Sequence, residues 1–386
     1  IPWLTPTDLP MPGKGIVDVS DTAGKITEEG LAAISARLLP VGTVLFSSRA
    51  TIGKLGISRV PLATNQGFAN FIPKKFVDAK YLAYCLLHYT AEITALAGST
   101  TFKEVTKTAL KKFKIPLPAL SEQRRIVEIL DQADALRKKR AEADAKAARI
   151  LPALFYKMFG DPATNPKGWN IKPLSEFEAQ VRYGLGQPPK TSTTGVALIR
   201  ATNISRGTIS PINMICVDPQ DVPLGRNAFL KEDEVLVVRS GVYTGDIAQV
   251  TNDWEGCVAG YDLVITPGRY LTGEFVESYL LTPFIQKGYF YNLKARAGQP
   301  HLNAAQVSAT PFLDIPIDLQ VQFSEAVQSI RILRKQQGAV SENLKKTLDV
   351  LLHRAFTGDL TAKWREAHMK ELLQEMEQQA KLLEGN

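Results

Sequence analysis

The histidines and cysteines are the residues whose types could support catalysis or metal binding. No two histidines have the spacing of a His-Glu-x-x-His site, and the three cysteines are far apart and odd in number. We therefore expect the cysteines to be small buried hydrophobic residues, with no disulfide framework and no metal bound by this chain. The residues concerned are His88, His301, His353, His368, Cys85, Cys216 and Cys257.

Motifs for nucleotide binding or nucleophilic catalysis are not found in the sequence. It contains no P-loop, no Gly-x-Gly-x-x-Gly after a strand and no Gly-x-Ser-x-Gly. Residues 187–190, Gln-Pro-Pro-Lys, are superficially similar to the Asn/Asp-Pro-Pro-Tyr/Phe loop of amino-methyltransferases but lack its trailing aromatic residue. The chain alone is therefore predicted to catalyse no reaction and to bind no cofactor.

The elements that would position a binding site come from a chain of ordinary globular composition. Of the 386 residues, 45% are hydrophobic and 22% are charged, and this length favours two or three domains. No apolar run reaches the roughly 18 residues of a membrane-spanning helix, and no signal peptide is evident. We expect a cytoplasmic protein with no membrane partner.

The charge of the chain is unevenly distributed. The net charge is +7, which permits a polyanionic partner without requiring one. Residues 1–119 contain 14 basic and 8 acidic residues, whereas residues 159–319 contain 13 basic and 16 acidic residues. If both segments bind nucleic acid, the second must do so with a local basic surface.

The sequence contains an internal repeat, whose two copies are offset by about 200 residues. A unit this long can fold around its own core, so the pattern predicts a duplicated unit of domain plus helix. Residues 165–195 have no counterpart before Ile1, so we expect the first domain to lack about 30 N-terminal residues; alternatively, the first copy is naturally shorter. The matched segments are 1–9 with 196–204, 42–45 with 233–236, 97–98 with 297–298, 115–116 with 315–316, Leu120 and Gln123 with Leu319 and Gln322, and 160–161 with 358–359.

Each copy runs from short strands to helices, which predicts a mixed α/β globule. Beta-branched and aromatic runs between Gly, Pro and Asn predict strands, and longer periodic runs predict helices. The strands are expected at 43–47, 67–72, 235–239, 246–250 and 262–266, with a last strand at 114–116 and 314–316, and the helices at 79–95 and 273–293.

A long helix is predicted after each globule. Apolar residues recur at spacings of three, four or seven between Ile126 and Leu154 and again between Ile330 and Ala355, with charged residues between them. Such heptads are typical of a coiled coil, and we expect the two helices to pair in antiparallel fashion. The final segment has an apolar stripe and is expected to be a helical tail that docks on the protein or on a partner.

Residues 117–127, 355–365 and 42–67 contain motifs that resemble those of the specificity subunits of type I restriction-modification systems. Residues 117–127, Leu-Pro-Ala-Leu-Ser-Glu-Gln-Arg-Arg-Ile-Val, are similar to that family's entry into its spacer helix. Residues 355–361, Ala-Phe-Thr-Gly-Asp-Leu-Thr, followed by Trp364 and Arg365, are similar to its carboxyl-terminal signature. Residues 42–49, Gly53 and 64–67 look like the core of a target-recognition domain, and the second copy of the helix-entry motif, at 322–326, departs from the pattern.

The resemblance implies an α+β fold of two mixed α/β target-recognition domains, separated by two long helices that pair as an antiparallel coiled coil in a pseudo-two-fold internal repeat. Each domain would read one half of a bipartite target in double-stranded DNA. The expected boundaries are 1–119 for the first domain, 120–158 for the central spacer helix, 159–319 for the second domain, 320–360 for the distal spacer helix and 361–386 for the tail.

The resemblance also implies partners. The chain would assemble with two methyltransferase subunits and up to two restriction subunits, as the non-catalytic part of a DNA adenine-methyltransferase and ATP-dependent deoxyribonuclease used in phage defence. S-adenosylmethionine, ATP and Mg²⁺ would bind to those partners, as would the base that leaves the stack for methylation.

Candidate DNA contacts are polar side chains flanked by glycine at loops and strand ends, since Arg, Lys, Asn, Gln and small hydroxyls are the groups that read base edges. The alternative for each is a turn residue bonded to its own backbone. In the first domain they are Ser48, Arg49, Thr51, Lys54, Asn65, Gln66 and Thr101. In the second they are Arg182, Tyr183, Gln187, Arg200, Asn203, Arg239, Ser240, Tyr243, Gln299, His301 and Asn303. Phosphate contacts are expected from Lys74, Lys75, Lys103, Lys107, Lys111 and Lys112, unless these lysines form a merely solvated surface.

Two other functions remain open at this point. The chain could be the detached recognition arm of a single-chain DNA methyltransferase or endonuclease, although the duplication speaks against that. It could also be a scaffold that binds proteins and no DNA, which a band shift on random duplex at low salt would distinguish.

Overall fold

The computed structural model of the chain describes residues 1–34, 36–98, 103–294 and 300–384. The chain forms two compact units. Unit 1 comprises Ile1–Ala143 and Gly338–Asn386, and unit 2 comprises Asp144–Gln337. The predicted mixture of strands and helices with two long helices is confirmed. Each unit contains one α/β globule and parts of both long helices, so the compact units do not coincide with the boundaries expected from the sequence.

The globule of unit 1 is built on a four-stranded sheet in the order β2-β5-β4-β7 and a smaller sheet in the order β3-β1-β6. Strand β2 runs parallel to β5, and β4 is antiparallel to both of its neighbours. Strand β4 is buried along its whole length, which explains its uninterrupted apolar sequence. The strands are β1 (Pro2–Leu4), β2 (Ile16–Val19), β3 (Gly24–Lys25), β4 (Val44–Ser47), β5 (Leu55–Ser58), β6 (Ala63–Thr64) and β7 (Phe68–Phe71).

Four helices complete this globule: α1 (Glu28–Ala33), α2 (Ala79–His88), α3 (Thr90–Ala95) and α4 (Lys107–Lys112). The helix expected at 79–95 is therefore two helices that meet at Tyr89. The Asp78 side chain accepts the first free backbone N–H groups of α2, as an N-cap does. The strand expected at 114–116 is wrong, because these residues form irregular backbone.

The predicted central spacer helix is two helices, α5 (Leu120–Ala147) and α6 (Ile150–Phe159). Pro152 lies in the first turn of α6, where its missing N–H has no intrahelical role. In a continuous helix the proline ring would clash with the carbonyl of Ala148, so the helix ends before it and a new one begins.

The globule of unit 2 contains a four-stranded sheet in the order β16-β15-β18-β9 and a second in the order β10-β14-β11-β17. Two strand pairs, β12-β13 and β19-β8, lie beside them. The strand expected at 314–316 is placed three residues too late, because the observed strand is Pro311–Leu313. The strands are β8 (Ile171–Pro173), β9 (Gln180–Tyr183), β10 (Thr191–Ser192), β11 (Val196–Ile199), β12 (Ile204–Ser205), β13 (Thr208–Ile209), β14 (Ile215–Val217), β15 (Val235–Val237), β16 (Ile247–Gln249), β17 (Val258–Ala259), β18 (Leu263–Thr266) and β19 (Pro311–Leu313).

The remaining helices are α7 (Gly273–Leu280), a π-helical segment (Phe284–Phe290), α8 (Tyr291–Lys294), α9 (Ala304–Ser308), α10 (Ile317–Thr357), α11 (Ala362–Ala367) and α12 (Met369–Glu384). Within unit 2, the rings of Phe159 and Phe323 are 5.2 Å apart and Arg334 Nη2 donates to Ala147 O at 2.9 Å. The numbers rise along one helix as they fall along the other, so the helical segments of this unit pack in antiparallel fashion. Among the described residues, no helix is long and apolar enough to cross a bilayer.

A buried glutamine joins the long helix of unit 1 to its globule. Gln123 accepts the backbone N–H of Asp78 at 2.9 Å and donates its amide hydrogens to Phe76 O and Pro118 O at 3.0 and 2.8 Å. Its side chain is fully buried, so these bonds satisfy three groups that water does not reach.

Gln320 repeats this arrangement in unit 2. It accepts the N–H of Thr272 at 3.2 Å and donates to Tyr270 O and Ile315 O at 3.0 and 2.8 Å. The internal repeat therefore extends to individual hydrogen bonds. The structural counterpart of Gln123 is Gln320 and not Gln322, so that part of the sequence match is wrong by two residues.

Candidate nucleic-acid interface

Two loops occupy equivalent places at the ends of the central strands β4 and β15. In unit 1 the loop follows β4, and the N–H of Val105 donates to Ser48 O at 2.9 Å. The next residue, Arg49, forms a backbone bridge with Glu104, and its guanidinium Nε lies 2.6 Å from the Glu104 carboxylate. Both charged side chains are partly exposed, so this ion pair is accessible to a partner.

In unit 2 the same backbone pattern carries different side chains. The N–H of Leu302 donates to Arg239 O at 2.8 Å, and Ser240 forms the backbone bridge with His301. Arg239 thus stands where unit 1 has a serine, and a serine and a histidine replace the ion pair. We call these two loops, with their bridged partners, the reading loops of unit 1 (Ser48, Arg49 and Glu104) and of unit 2 (Arg239, Ser240 and His301).

The Arg239 guanidinium is held by aromatic rings. Its central carbon lies 4.1 Å from the ring centroid of Tyr261 and 4.8 Å from that of Tyr183, within the range of cation–π attraction. Its Nη2 lies 3.4 Å from His301 Nε2. Three residues predicted as DNA contacts, Arg239, Tyr183 and His301, are therefore brought together, and Ser240 adjoins them.

A buried carboxylate supports the backbone of Arg239. The Arg239 N–H donates to Asp262 Oδ1 at 3.2 Å, and Asp262 is only 2% exposed. Burial raises the pKa of Asp262 to about 6, although the hydrogen bond and the charge of Arg239 act in the opposite direction. In unit 1 the equivalent N–H, of Ser48, donates to a backbone carbonyl, Gly67 O, at 2.8 Å.

Large apolar side chains are exposed around this reading loop. Val242 is 96% exposed, and Tyr243 and Tyr261 are each close to half exposed. Proteins seldom leave such groups in water beside a cation unless the surface binds something. Tyr243, another predicted contact, lies in this exposed loop.

In unit 1 several predicted contacts line one cavity of about 980 Å³. Its polar lining includes Asn65, Gln66, Lys107 and Lys111, and Phe71 is among its aromatic residues. The Asn65 side chain also accepts the N–H of Gly67 at 3.0 Å, as in an Asx turn, so its carbonyl oxygen already has a backbone partner.

The lysines predicted to contact phosphate are all exposed. Lys107, Lys111 and Lys112 belong to α4, whose N-cap is Thr106. The equivalent helix of unit 2 is α9, with Asn303 as its N-cap, and it contains no lysine. Lys74, Lys75 and Lys103 lie in the segments between the regular elements of unit 1.

Arg182 is placed inside the sheet of unit 2. It forms a two-pronged ion pair with Glu234, at 2.6 and 2.7 Å, and donates to Thr266 Oγ1. Glu234 is 3% exposed, so this pair holds strands β9 and β18 to the segment before β15. The guanidinium is occupied by structural partners.

Arg200 and Asn203 also have structural partners. Arg200 Nη2 donates to Asn213 O at 2.6 Å, and the buried Asn203 amide donates to Ser210 O and Ile212 O, both at 3.1 Å. Arg200 lies beside Gly260, the residue before Tyr261, so within the described part of the chain only its Nη2 contact to Asn213 O directs this side chain into the fold.

The other predicted contacts are dispersed. Ser48 and Lys54 are buried, and Lys54 Nζ donates to Pro6 O. The carbonyl of Thr51 accepts the Ser47 hydroxyl, and Gln187 is exposed in a loop. Asn303 caps α9, with its side chain 2.8 Å from Gln306 N. Thr101 and Gln299 lie outside the described residues.

Tyr261 is a residue of this cluster that the sequence analysis missed. The repeat could have indicated it, because Asn65 N donates to Leu4 O in unit 1 as Gly260 N donates to Ile199 O in unit 2. Tyr261 follows directly and so lies in the loop equivalent to the one that contains Gln66.

Comparison with known proteins identifies chains of similar sequence and similar fold. Residues 1–144 match the family model of the type I restriction modification DNA specificity domain. A type I restriction-modification S subunit from M. genitalium has a similar structure, with a TM-score of 0.54 at 16% identity over 92% of each chain. A chain from a structure that describes complex assembly and conformational transition of a type I R-M system is also similar. Its TM-score is 0.53 at 18% identity over 84% of each chain. These two likenesses concern the fold.

Sequence relatives indicate the family. The chain is 27% identical to the specificity subunit of the type I restriction enzyme MjaIX of Methanocaldococcus jannaschii, over 93% of this chain and 87% of that one. It is 33% identical to the EcoR124I/EcoR124II specificity subunit of Escherichia coli over 35% of this chain and 34% of that one. The resemblance found in the sequence is confirmed: the chain is similar in sequence to specificity subunits of type I restriction enzymes and in fold to a type I S subunit.

Proposed function

We propose that this chain recognises a bipartite DNA target, with the reading loop of unit 1 contacting one half and that of unit 2 contacting the other. The observation that carries this proposal is the pair of reading loops. The N–H groups of Val105 and Leu302 hold the two loops through equivalent backbone bonds, yet the loops present different side chains. A common scaffold with different base-reading groups is what two unlike half-sites require.

The two units would contact DNA by different means. In unit 1 the accessible Arg49–Glu104 pair and the cavity lined by Gln66 lie in a domain whose helix α4 offers lysines for phosphates. In unit 2 the contacts would come from Arg239 and the tyrosines around it. Arg182 and Asn203 would support the fold, since their polar groups already have partners, and Arg200 would do so through its Nη2 bond to Asn213 O.

The remaining parts of the proposal concern partners. The chain would act in the cytoplasm as a non-catalytic subunit, with two methyltransferase subunits and up to two restriction subunits. Those partners would bind S-adenosylmethionine, ATP and Mg²⁺ and would act on phage DNA. Sequence similarity supports this assignment, because the relatives are specificity subunits of type I restriction enzymes.

Selection of bound duplexes from a random library by the full chain tests the DNA-binding part. We expect two short conserved segments with a gap of unconserved bases between them. Binding should weaken with salt, with a log–log slope of roughly −0.9 for each phosphate contacted. A single continuous motif would contradict the bipartite proposal, and no binding to any duplex at low salt would contradict DNA recognition itself.

A further inference from the structure

We propose that Arg239 recognises a guanine in the half-site contacted by unit 2, and that Tyr183 and Tyr261 are positioning residues that fix the plane of its guanidinium. This inference rests on the proposed function, because it assumes that unit 2 contacts base edges. It goes further in naming one residue, one base and the groups that orient the residue.

The geometry of Arg239 is fixed from both the backbone and the side chain. Its N–H is bonded to the buried Asp262 and its carbonyl to Leu302 N, which hold the start of the side chain. The rings of Tyr261 and Tyr183, at 4.1 and 4.8 Å from the guanidinium carbon, then hold its end. Stacking on rings leaves the two Nη groups at the edge of the guanidinium plane for hydrogen bonds, whereas Nε is buried and has no hydrogen-bond partner among the residues that the structure describes.

The other predicted arginines are each bonded to an oxygen acceptor of the protein. Arg182 is saturated by Glu234, Arg200 donates to Asn213 O, and Arg49 is paired with Glu104. Within the part of the chain that the structure describes, Arg239 forms no ion pair. Its one side-chain hydrogen-bond contact is the long one to His301.

Guanine is the base whose edge matches this group. In the major groove its N7 and O6 are two neighbouring acceptors, and a planar guanidinium can donate to both. Adenine presents an acceptor and a donor instead, so a rigid fork of donors favours guanine over adenine. Because the Tyr261 and Tyr183 rings restrict rotation of the fork, a wrong base cannot be accommodated without loss of the stacking.

A phosphate is the rival acceptor for any arginine, and the surroundings of Arg239 favour a base. Phosphate-binding surfaces gather several cations, as α4 does in unit 1 with Lys107, Lys111 and Lys112. The equivalent helix near Arg239, α9, has no lysine. The groups that accompany Arg239 are aromatic and apolar, including the fully exposed Val242, and such groups suit bases better than phosphates.

The test is R239K in the full chain, with motif selection from a random duplex library and R269K as the matched control. Lysine keeps the charge, and so keeps a phosphate contact, but it loses the planar fork. Arg269 is an exposed arginine of the same unit that also lies 4.8 Å from a tyrosine ring, that of Tyr270, but it is paired with Glu178. Thermal unfolding of each variant verifies that it folds.

We expect the wild-type motif to contain a required guanine, and R239K to relax that position alone by about tenfold, which corresponds to about 1.4 kcal/mol. R269K should leave the motif unchanged. Tyr261→Leu should relax the same position. Tyr261→Phe should keep the guanine requirement, because the aromatic ring is sufficient to orient Arg239.

Two results would overturn the inference while leaving bipartite recognition intact. In the first, the wild-type chain selects a two-part motif, but R239K lowers the affinity for all sequences alike or has no effect. The other is a half-site that R239K alters at a position that is not guanine. Failure of the wild-type chain to bind any duplex would instead overturn the proposed function, and the inference with it.

Discussion

The two units show how one scaffold can carry two chemically different surfaces. Both use a buried glutamine to join a long helix to the globule, and both hold the reading loop by the same backbone bonds. The differences lie mainly in side chains, and one of them supports the loop: the N–H of the first loop residue is bonded to the Asp262 carboxylate in unit 2 and to Gly67 O in unit 1. Helix α4 has three lysines where α9 has none, and Arg239 with its two tyrosines has no equivalent beside Ser48.

This contrast accounts for the uneven charge of the sequence. Residues 159–319 have more acidic than basic residues, yet several of these acids are internal. Glu234 is paired with Arg182, Glu277 with Arg331, and Asp262 lies beneath Arg239. A segment of negative net charge can therefore still present a local cation, whereas the globule of unit 1 has the lysine-rich helix α4.

The largest expected effect comes from the buried glutamines. Gln123→Leu and Gln320→Leu each leave three backbone groups without a partner. Each buried group that loses its hydrogen bond costs about 1–3 kcal/mol. We expect each variant to lower the free energy of unfolding of its own unit by about 3 kcal/mol or more, measured by amide hydrogen exchange. Gln322→Leu is the control, because Gln322 is exposed. Unchanged protection of a unit that carries its Leu variant would show that the two glutamines are not equivalent.

The next effect is confined to unit 2 and depends on pH. Asp262 has a pKa raised to about 6 against an ordinary 3.8, so the folded unit favours the protonated form. Its stabilising contribution is complete below about pH 4 and is lost as the pH rises through about 6, at a cost of up to about 3 kcal/mol. Asp262→Asn should be more stable than the wild type at pH 7.5 and lose that advantage at pH 4.

The measurement is urea unfolding of the variant and the wild type at the two pH values. Asp253→Asn serves as the control, because Asp253 is exposed and paired with Lys335. Equal stability differences at both pH values for Asp262→Asn would contradict the raised pKa.

A smaller effect on stability is expected at the start of α5, where unit 1 has an ion pair that the described start of α10 in unit 2 lacks. In unit 1, Glu122 is buried and accepts from Thr361 Oγ1 at 2.6 Å and from Arg365 Nε at 2.9 Å, which ties α11 to α5. The residue before the glutamine in unit 2 is Leu319, which cannot form such a pair. Glu122→Gln should cost about 1–2 kcal/mol, since Arg365 is partly exposed and screened.

Amide exchange of residues 362–367 reports this loss directly, and it should be faster in Glu122→Gln. The exposed Glu371→Gln should leave it unchanged. Equal exchange in both variants would mean that the tail is held by apolar contacts alone.

The smallest expected effect concerns the lysines of unit 1. Replacing both Lys111 and Lys112 by Gln should reduce the steepness of the log–log salt dependence by about 2 and weaken binding to all sequences alike. Lys370→Gln, on α12, is the control. A loss confined to the specific target would mean that these lysines contact bases and not phosphates.

Local pattern predicted much of the fold correctly. The central strands β4 and β15 are runs of buried apolar residues, and the long helices have sustained apolar spacing, so each signal lies within one element. Element ends were harder to predict. The break before Pro152 and the division at Tyr89 depend on helix termination, and the irregular backbone at 114–116 depends on contacts distant in sequence.

The candidate site was less predictable for the same physical reason. Arg182 and Arg239 are both arginines close to strands, and only the folded chain shows that Glu234 faces the first and tyrosine rings the second. The match of Gln123 to Gln322 followed a sequence motif, whereas the hydrogen bonds select Gln320. A side chain whose role is set by a distant partner is not identified by its own neighbours in sequence.

The most direct test of independent recognition by the two units is an exchange of globules followed by sequencing of methylated bases in cells that carry the complete system. Residues 1–119 are replaced by the corresponding segment of a specificity subunit with a different target, and residues 159–319 are replaced in a reciprocal chain. We predict that each exchange changes one half of the methylated motif and leaves the other half unchanged. A folded, active chain in which either exchange alters both halves would contradict the proposal that each reading loop acts on its own half-site.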